Sequence, residues 1–285
     1  MVTTAVRWLI FAAALLAIAL PTSVSRPVTV ATCSQTPGEL DCDFQERIAA
    51  ADAYLAGRPG SVGYVLRDRS TGGQYRNSHA GDLVWTASTI KLAIVVDLLT
   101  RERAGLIALT NDDRALMATM LHSSDNDAAD TLWSRYGGSD HQSYNRDFPR
   151  YGMTDLQPQR GFSTVYPYWG FQKATANDLD RLMAYTLTGL DPYDTASIVG
   201  ELQRVDADQH WGVWGAGPAM TPGNKNGWSE EQGGWVINSV GFAGAGQRYT
   251  LAVMNALNGQ GGYDDGVATT TRLSQLLLAG REAAG

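Results

Sequence analysis

Strand-like segments lie in two groups along this chain, and a long helical block separates them. "SVGYVLRD" (61–68) and "QYRNS" (74–78) form a predicted hairpin, and "GNKNGWS", "GGWVINSVGFA" and "RYTLAVMNAL" follow near the C-terminus, separated by glycine-rich turns. The order along the chain is thus a helix, two strands, a helical block, three strands and a closing helix. We therefore expect an α+β fold: one antiparallel sheet flanked by N- and C-terminal helices, plus an inserted all-helical subdomain.

Helical periodicity predicts six segments: 43–57, 89–104, 112–121, 125–135, 177–188 and 267–283. We expect Asp43 to cap the first of them and Gly57 with Pro59 to end it. The stretch "DLQPQRGFSTVYPYWGFQKA" (155–174) is irregular and rich in aromatic residues. Loops of that length in compact domains are usually functional or mobile.

The N-terminus has the layout of a secretory signal. Arg7 is followed by thirteen apolar residues (8–20), which is short for a membrane span, and then by Pro21 and small residues. We expect a signal peptide over 1–25, with cleavage as late as 31, and a secreted or cell-envelope protein with no stable membrane span afterwards. The alternative is a retained membrane anchor.

A linker is predicted over 26–42, before one domain at 43–285 with an α/β part (43–85 and 205–285) and a helical part (86–204). Cys33 and Cys42 are the only cysteines, and a short-loop disulfide is the expected fate in an exported protein. Two free thiols, or a lipid anchor at Cys33, are the alternatives. Thr32 is a poor residue before a lipidated cysteine, which disfavours the anchor.

Composition excludes several classes of partner. The net charge of −7 becomes −8 when Arg7 leaves with the signal (−7 − 1), and an acidic chain does not suggest nucleic acid or anionic membrane. Two cysteines and four scattered histidines show no metal-ligand spacing, so we expect no metal and no cofactor. We expect a monomer.

The stretch "TASTIKLAIVV" (86–96) places Lys91 three residues after Ser88. Ser88 could simply cap the helix that follows, since serine is a preferred N-cap. On a helix, however, Lys91 shares a face with the apolar residues Val95, Leu98 and Leu99, opposite Asp97, Thr100 and Arg101. Burial favours the neutral amine of lysine, and a neutral amine one turn from a hydroxyl can take its proton. This position favours a nucleophile and its base.

Two further motifs follow in order. "MLHSSDNDAAD" contains Ser124-Asp125-Asn126, which could also be an ordinary helix cap. "GNKNGW" contains Lys225-Asn226-Gly227 at the start of a predicted strand, where a solvated edge lysine is the simpler interpretation. Together the three motifs resemble the Ser-x-x-Lys, Ser-Asp-Asn and Lys-[Thr/Ser]-Gly set of class A serine β-lactamases and penicillin-binding proteins (D-Ala-D-Ala peptidases). The resemblance covers roughly residues 43–282 and implies a β-lactamase/transpeptidase-like fold.

The resemblance implies a role for each matching residue. Ser88 would be the nucleophile, Lys91 its base, and Ser124 the proton donor to the leaving nitrogen. Lys225 would hold Ser124 and attract a substrate carboxylate. The other implied substrate contacts are Asn126, Asn226, Gly227 and Trp228, and the implied oxyanion hole consists of the backbone N–H groups of Ser88 and Trp228.

Three features depart from the family pattern. Asn226 stands where Thr or Ser is usual, and Trp228 beside it is unusual and could narrow the cleft. Ser88 and Ser124 are only 36 positions apart (124 − 88), which suggests a more open cleft. Class A enzymes use a glutamate on a long loop between the second and third motifs to activate deacylating water, but residues 156–177 contain no acid.

These features predict a divergent, exported, penicillin-recognising serine hydrolase that forms an acyl-enzyme on Ser88. Its expected partner is a β-lactam or a peptidoglycan stem peptide, with slow deacylation. Two alternatives stay open at this point. One is a true β-lactamase, and the other is a catalytically inactive protein of the same fold that binds cell-wall peptide. We expect the tryptophans around the third motif to pack in or beside the core rather than to form a glycan-binding surface.

Overall fold

The computed structural model describes residues 38–281 together with Met1. Its helices are α1 (Cys42–Leu55), α2 (Ile90–Arg103), α3 (Asn111–His122), α4 (Asn126–Tyr136), α5 (Ser143–Asp147), α6 (Ala176–Thr188), α7 (Pro192–Leu202) and α8 (Tyr263–Leu278). Its strands are β1 (Ser61–Asp68), β2 (Gln74–Arg76), β3 (Val84–Trp85), β4 (Gln157–Pro158), β5 (Gln172–Ala174), β6 (Gly223–Glu231), β7 (Gly234–Ala243) and β8 (Tyr249–Ala256). None of these helices is long and apolar enough to cross a bilayer. The predicted signal peptide and Cys33 lie outside the described residues.

The main sheet joins the two ends of the domain, as the sequence predicts. Its five strands are antiparallel in the order β2-β1-β8-β7-β6, so the N-terminal hairpin pairs with the C-terminal strands through β1 and β8. One row across the sheet runs from Tyr64 through Val253 and Ser239 to Asn226. β6 is an edge strand, and within residues 38–281 no further strand of this sheet pairs with its outer edge.

Both faces of the sheet are covered. Tyr64 and Leu66 pack in one cluster with Phe44 of α1 and Leu273 of α8, whereas Val65 packs in a second cluster with the helical block. This alternation follows from the two-residue period of a strand. The α+β prediction with flanking terminal helices is confirmed. The insertion between β3 and β6 is mainly helical but not all-helical, because β4 and β5 lie within it and pair with β3.

Several predicted helix boundaries need correction. Asp41, not Asp43, caps α1, because its carboxylate accepts the Phe44 N–H at 2.9 Å. α8 begins at Tyr263, four residues before the predicted start, where the Asp265 carboxylate accepts the Gly262 N–H at 3.1 Å. The sequence analysis missed α5 and α7. α7 begins with a proline at its first position, a common helix start.

The helix that follows Ser88 is buried on every side. All residues from Ile90 to Leu99 are buried, including Asp97, which the polar-face argument placed opposite the apolar residues. Asp97 accepts hydrogen bonds from Arg101 (3.1 Å) and Tyr151 (3.0 Å), and burial raises its pKa to about 6. Over Ile90–Leu99, α2 is thus buried on its polar side as well as on its apolar side.

Candidate active site

Ser88 lies in a short 3-10 turn, Ala87–Thr89, that leads directly into α2. No side-chain hydrogen bond caps the start of this turn or of α2, so Ser88 is not the helix cap that the alternative interpretation required. Ala87, just before it, has φ +44°, an uncommon conformation for a residue with a side chain. Such strain occurs most often at functional sites. The Ser88 side chain is half-buried, and no hydrogen bond occupies it within residues 38–281.

Lys91 is fully buried one helical turn after Ser88. Its Nζ donates to the Ser124 carbonyl oxygen at 2.5 Å and to Asn126 Oδ1 at 2.6 Å, and lies 3.4 Å from Ser124 Oγ. Burial lowers the pKa of Lys91 to about 7, although the nearby carboxylates of Asp125 and Asp130 oppose this shift. A large fraction of Lys91 is therefore neutral near pH 7, which a general base requires.

The second motif is divided between two tasks. Asp125 caps α4 by accepting the Ala128 N–H at 2.7 Å. Ser124 and Asn126, on either side of it, instead bond to Lys91. Ser124 has φ +61°, so its backbone turns through the left-handed region just before the helix. One residue of the tripeptide, Asp125, is therefore a helix cap, whereas the two others contact the buried Lys91.

Lys225 approaches Ser124 from the sheet. It is fully buried on β6, and its Nζ donates to Ser124 Oγ and to the Asn226 carbonyl oxygen, both at 2.8 Å. Burial, reinforced by the charge of Lys91, lowers the pKa of Lys225 well below its ordinary value. The chain has only three lysines, and two of them meet at one serine hydroxyl. A proton on either amine gives the site a positive potential suited to an anionic ligand.

Gly227 brings the edge of β6 against the Ser88 turn. A Cβ at this position would lie 2.8 Å from Ser88 N, 2.7 Å from Thr89 N and 2.8 Å from Thr86 O. Only glycine permits this approach without a backbone shift. The Ser88 turn therefore lies directly against the face of β6 at Gly227, next to Trp228, and the oxyanion hole stays a prediction.

The predicted substrate contact of the Asn226 side chain is wrong. Asn226 is fully buried: its Nδ2 donates to the Gln209 carbonyl oxygen at 2.9 Å, and its Oδ1 accepts from Asn224 at 2.6 Å and from Ser239 at 2.7 Å. Successive strand residues face opposite sides of a sheet. Because Lys225 faces Ser124, the Asn226 amide faces away and is engaged in the interior.

The Trp228 side chain faces the side of β6 opposite to Lys225 and Gly227, because successive strand residues alternate. It packs edge-to-face on Trp211 (5.9 Å between ring centroids) and on Tyr263 (6.3 Å), in a cluster that also includes Trp235. The expected packing of the tryptophans holds for Trp211, Trp228 and Trp235. Only the backbone of Trp228 stays a candidate for the oxyanion hole.

The aromatic loop supplies a contact that the sequence analysis missed. β4 and β5 pair within it and join β3 in a small sheet, and the loop between them places Trp169 with its ring 4.8 Å from Lys91 Nζ. Trp169 Nε1 donates to Asp130 Oδ1 at 2.6 Å. Asp130 lies four residues after Asn126, hence on the same face of α4. The four-residue spacing from Asn126 to Asp130 could have predicted that Asp130 faces the site. No local sequence pattern, however, predicts that residue 169 contacts Asp130.

No site for a metal ion stands out. Within residues 38–281, no group of three His, Cys, Asp or Glu side chains lies close enough to hold one. Cys42, the first residue of α1, belongs to no part of the cleft. Its predicted pairing with Cys33 stays a prediction.

The fold is that of the class A β-lactamases. A β-lactamase from Xanthomonas campestris superimposes with a TM-score of 0.68, covering 83% of this chain and 97% of its own, at 17% identity. A β-lactamase from Streptosporangium roseum gives 0.66, with 82% and 97% coverage, also at 17% identity. At such identities the likeness establishes the fold and not the activity. The resemblance inferred from the three motifs is thus confirmed at the level of the fold.

Among curated proteins the chain is similar to "Putative lipoprotein LppW" of Mycobacterium tuberculosis. The two are 29% identical over 224 residues, which cover 74% of this chain and 68% of the relative. The protein of the same name from Mycobacterium bovis matches equally well. No protein-family model matches the chain.

Proposed function

We propose that this protein is an exported, penicillin-recognising serine hydrolase that forms an acyl-enzyme on Ser88 with β-lactams or D-Ala-D-Ala-type amides. The observation that carries the proposal is the convergence on Ser124 of two buried lysines, Lys91 and Lys225, next to the turn that holds Ser88. Burying two lysine amines has a large free-energy cost unless both have hydrogen-bond partners. A purely structural role would not require both amines to lie at the same serine hydroxyl.

The proposed reaction uses each of these groups in turn. Neutral Lys91 takes the proton of Ser88 Oγ as that oxygen bonds to the carbonyl carbon of the amide. The backbone N–H groups of Ser88 and Trp228 stabilise the developing oxyanion. The carbon–nitrogen bond then breaks, and the leaving nitrogen receives a proton through Ser124, whose hydroxyl Lys225 holds. The product is an ester on Ser88.

Deacylation is proposed to be slow. Residues 156–177 contain no acid that could activate water in the way that class A enzymes use their loop glutamate. This absence favours a peptidase-like or slow-turnover enzyme over a true β-lactamase. The inactive, peptide-binding alternative is less favoured, because a binder does not need a lysine whose pKa is lowered to about 7 beside a serine.

A cell-envelope location is part of the proposal. The N-terminal apolar run supports export, and the description of the mycobacterial relative as a lipoprotein fits an extracytoplasmic place. Peptidoglycan stem peptide is therefore the natural ligand that we propose.

Intact-mass measurement over time, after mixing with benzylpenicillin, tests the proposal. We expect an adduct on the wild-type protein that persists, and none on Ser88→Ala. Clearance within seconds with consumption of penicillin would instead indicate a true β-lactamase. No adduct on folded wild-type protein, at any time, would contradict acyl-enzyme formation with this substrate and favour the binding protein.

A further inference from the structure

The Lys91 amine is enclosed from two sides by different parts of the chain. Ser124 and Asn126 accept its hydrogen bonds, and the indole of Trp169 covers it at 4.8 Å. Trp169 is itself only 7% exposed. The charged groups near Lys91 are Asp125, which caps α4, Asp130 of α4 and Lys225 of β6. Because Lys91 is fully buried, these protein groups surround its amine and shield it from solvent.

The indole is held in place by several bonds. Asp130 Oδ1 accepts the Trp169 Nε1–H at 2.6 Å and also the Tyr168 hydroxyl. The Pro167 carbonyl oxygen accepts from Trp133 Nε1 at 3.1 Å, and the Tyr168 carbonyl oxygen accepts from Gln172 Nε2 at 3.0 Å. If the Trp169 ring only filled space, the hydrogen bonds that fix the ring and the preceding loop residues would not be needed.

α4 couples this loop to the base. Asn126, in its first turn, accepts a hydrogen bond from Lys91, and Asp130, one turn later, anchors Trp169. The same helix therefore fixes the position of the amine and the position of the ring above it. An aromatic face can accommodate a cation, but it also removes the amine from water, which favours the neutral form.

We propose that Trp169, anchored by Asp130, is a positioning residue that excludes water from Lys91 and from the loop side of an acyl group on Ser88. The inference rests on the proposed function. It assigns one ring two effects: Lys91 stays a dry, neutral base for acylation, and water has no route to the ester from the side of the loop. Slow deacylation then results from a filled space as well as from a missing acid.

The three lysines allow a direct test on the whole secreted protein. With 13C at the lysine ε-carbons, NMR gives three signals, and the one lost in Lys91→Arg belongs to Lys91. In the wild type we expect this signal to titrate near pH 7. In Trp169→Ala we expect its midpoint to rise by about one pH unit or more, because water reaches the amine.

Two milder variants keep the test informative if Trp169→Ala does not fold. Trp169→Phe retains a ring but lacks the bond to Asp130, and we expect a smaller rise in the midpoint. Tyr168→Phe removes only the second donor to Asp130 and keeps Trp169, so we expect the wild-type midpoint. Unchanged midpoints in folded Trp169→Ala and Trp169→Phe would overturn the inference, as would wild-type titration near the ordinary value of 10.5.

Adduct lifetime tests the second effect. We expect the benzylpenicillin adduct on Ser88 to decay several times faster in Trp169→Ala than in the wild type or Tyr168→Phe. Equal decay would contradict water exclusion from the ester. If no variant forms an adduct, the proposed function fails, but the Lys91 titration still decides whether Trp169 keeps the amine dry.

Discussion

At the scale of single residues, the site depends on two amines placed where lysine is rarely found. Lys91 and Lys225 are both fully buried, and each is within reach of Ser124 Oγ. Each positive charge disfavours the other, and burial disfavours both. The third lysine, Lys173, shows the contrast: it is only half-buried, and its amine lies 4.7 Å from the Trp85 ring on the small sheet.

The pH dependence of acylation follows from the pKa of Lys91. Because the neutral amine is the base, the rate should be highest above pH 7 and fall about tenfold per pH unit well below it. The measurement is the initial rate of adduct formation on Ser88 from about pH 5 to pH 9. Lys173→Gln, as a control, should keep the wild-type profile. A flat profile would argue against Lys91 as the base.

At the scale of elements, the alternation along β6 decides which side chains can act. Lys225 points toward Ser124 and Gly227 lies against the Ser88 turn, whereas Asn226 and Trp228 pack on the other side. The departure at residue 226 therefore changes the interior of the sheet, where Asn226 bonds to Ser239 and Asn224, and not the lining of the cleft. At Gly227, by contrast, any larger residue would clash with the backbone of the Ser88 turn.

Gly227→Ala should impair both stability and acylation. Its Cβ would meet three backbone atoms at 2.7–2.8 Å, so either the strand or the Ser88 turn must shift. We expect a loss of about 1–3 kcal/mol in the free energy of unfolding and a fall in acylation rate on the order of 100-fold. Chemical denaturation and the adduct assay measure the two effects.

Gly233→Ala is the matched control for this strand. Gly233 lies in the turn between β6 and β7, and a Cβ there would meet nothing within 4 Å. It should leave the free energy of unfolding within about 0.5 kcal/mol and the acylation rate unchanged. Equal behaviour of the two variants would show that the close approach to Ser88 is not needed.

At the scale of the whole domain, Arg281 joins segments from both ends of the described chain. Its guanidinium bonds to both carboxylate oxygens of Asp41 (3.0 and 2.7 Å) and to Asp43 at 2.6 Å. It also lies 3.9 Å from the centre of the Phe44 ring. Asp41 in turn caps α1, so one arginine connects the end of α8 to the start of α1. Both helices cover the same face of the sheet.

Arg281→Ala should destabilise the domain without altering the site. We expect a loss of about 1–3 kcal/mol, from packing and hydrogen bonds rather than from a stranded buried charge, because both aspartates reach water. Thermal and urea unfolding measure it. Arg272→Ala, an exposed arginine of the same helix, should have little effect.

The effect of Arg281 should also depend on pH. Hydrogen bonds from Arg281 lower the pKa of Asp41 below its ordinary 3.8. A lowered carboxyl pKa stabilises the fold above the ordinary value, and this contribution disappears as the pH falls through the lowered one. The difference between wild type and Arg281→Ala should therefore shrink in strong acid. A difference that stayed constant would show that only packing is involved.

The sequence by itself determined the five strands of the main antiparallel sheet, six of the eight described helices and the three motifs. These depend on short spacings: the two-residue period of β1, the three-residue step from Ser88 to Lys91, and the adjacency of Ser124 to a helix start. Within one helix or strand, such spacings fix the relative directions of the side chains, whatever packs around that element.

Only the tertiary structure decided which faces are covered. Periodicity fixes directions within an element but not what packs against them, so Asp97 became buried and the Asn226 amide turned into the sheet interior. The placement of Trp169 over Lys91 joins residues 78 positions apart (169 − 91) through the anchor at Asp130. That contact depends on packing between a loop and two helices, and no local pattern in the sequence encodes it.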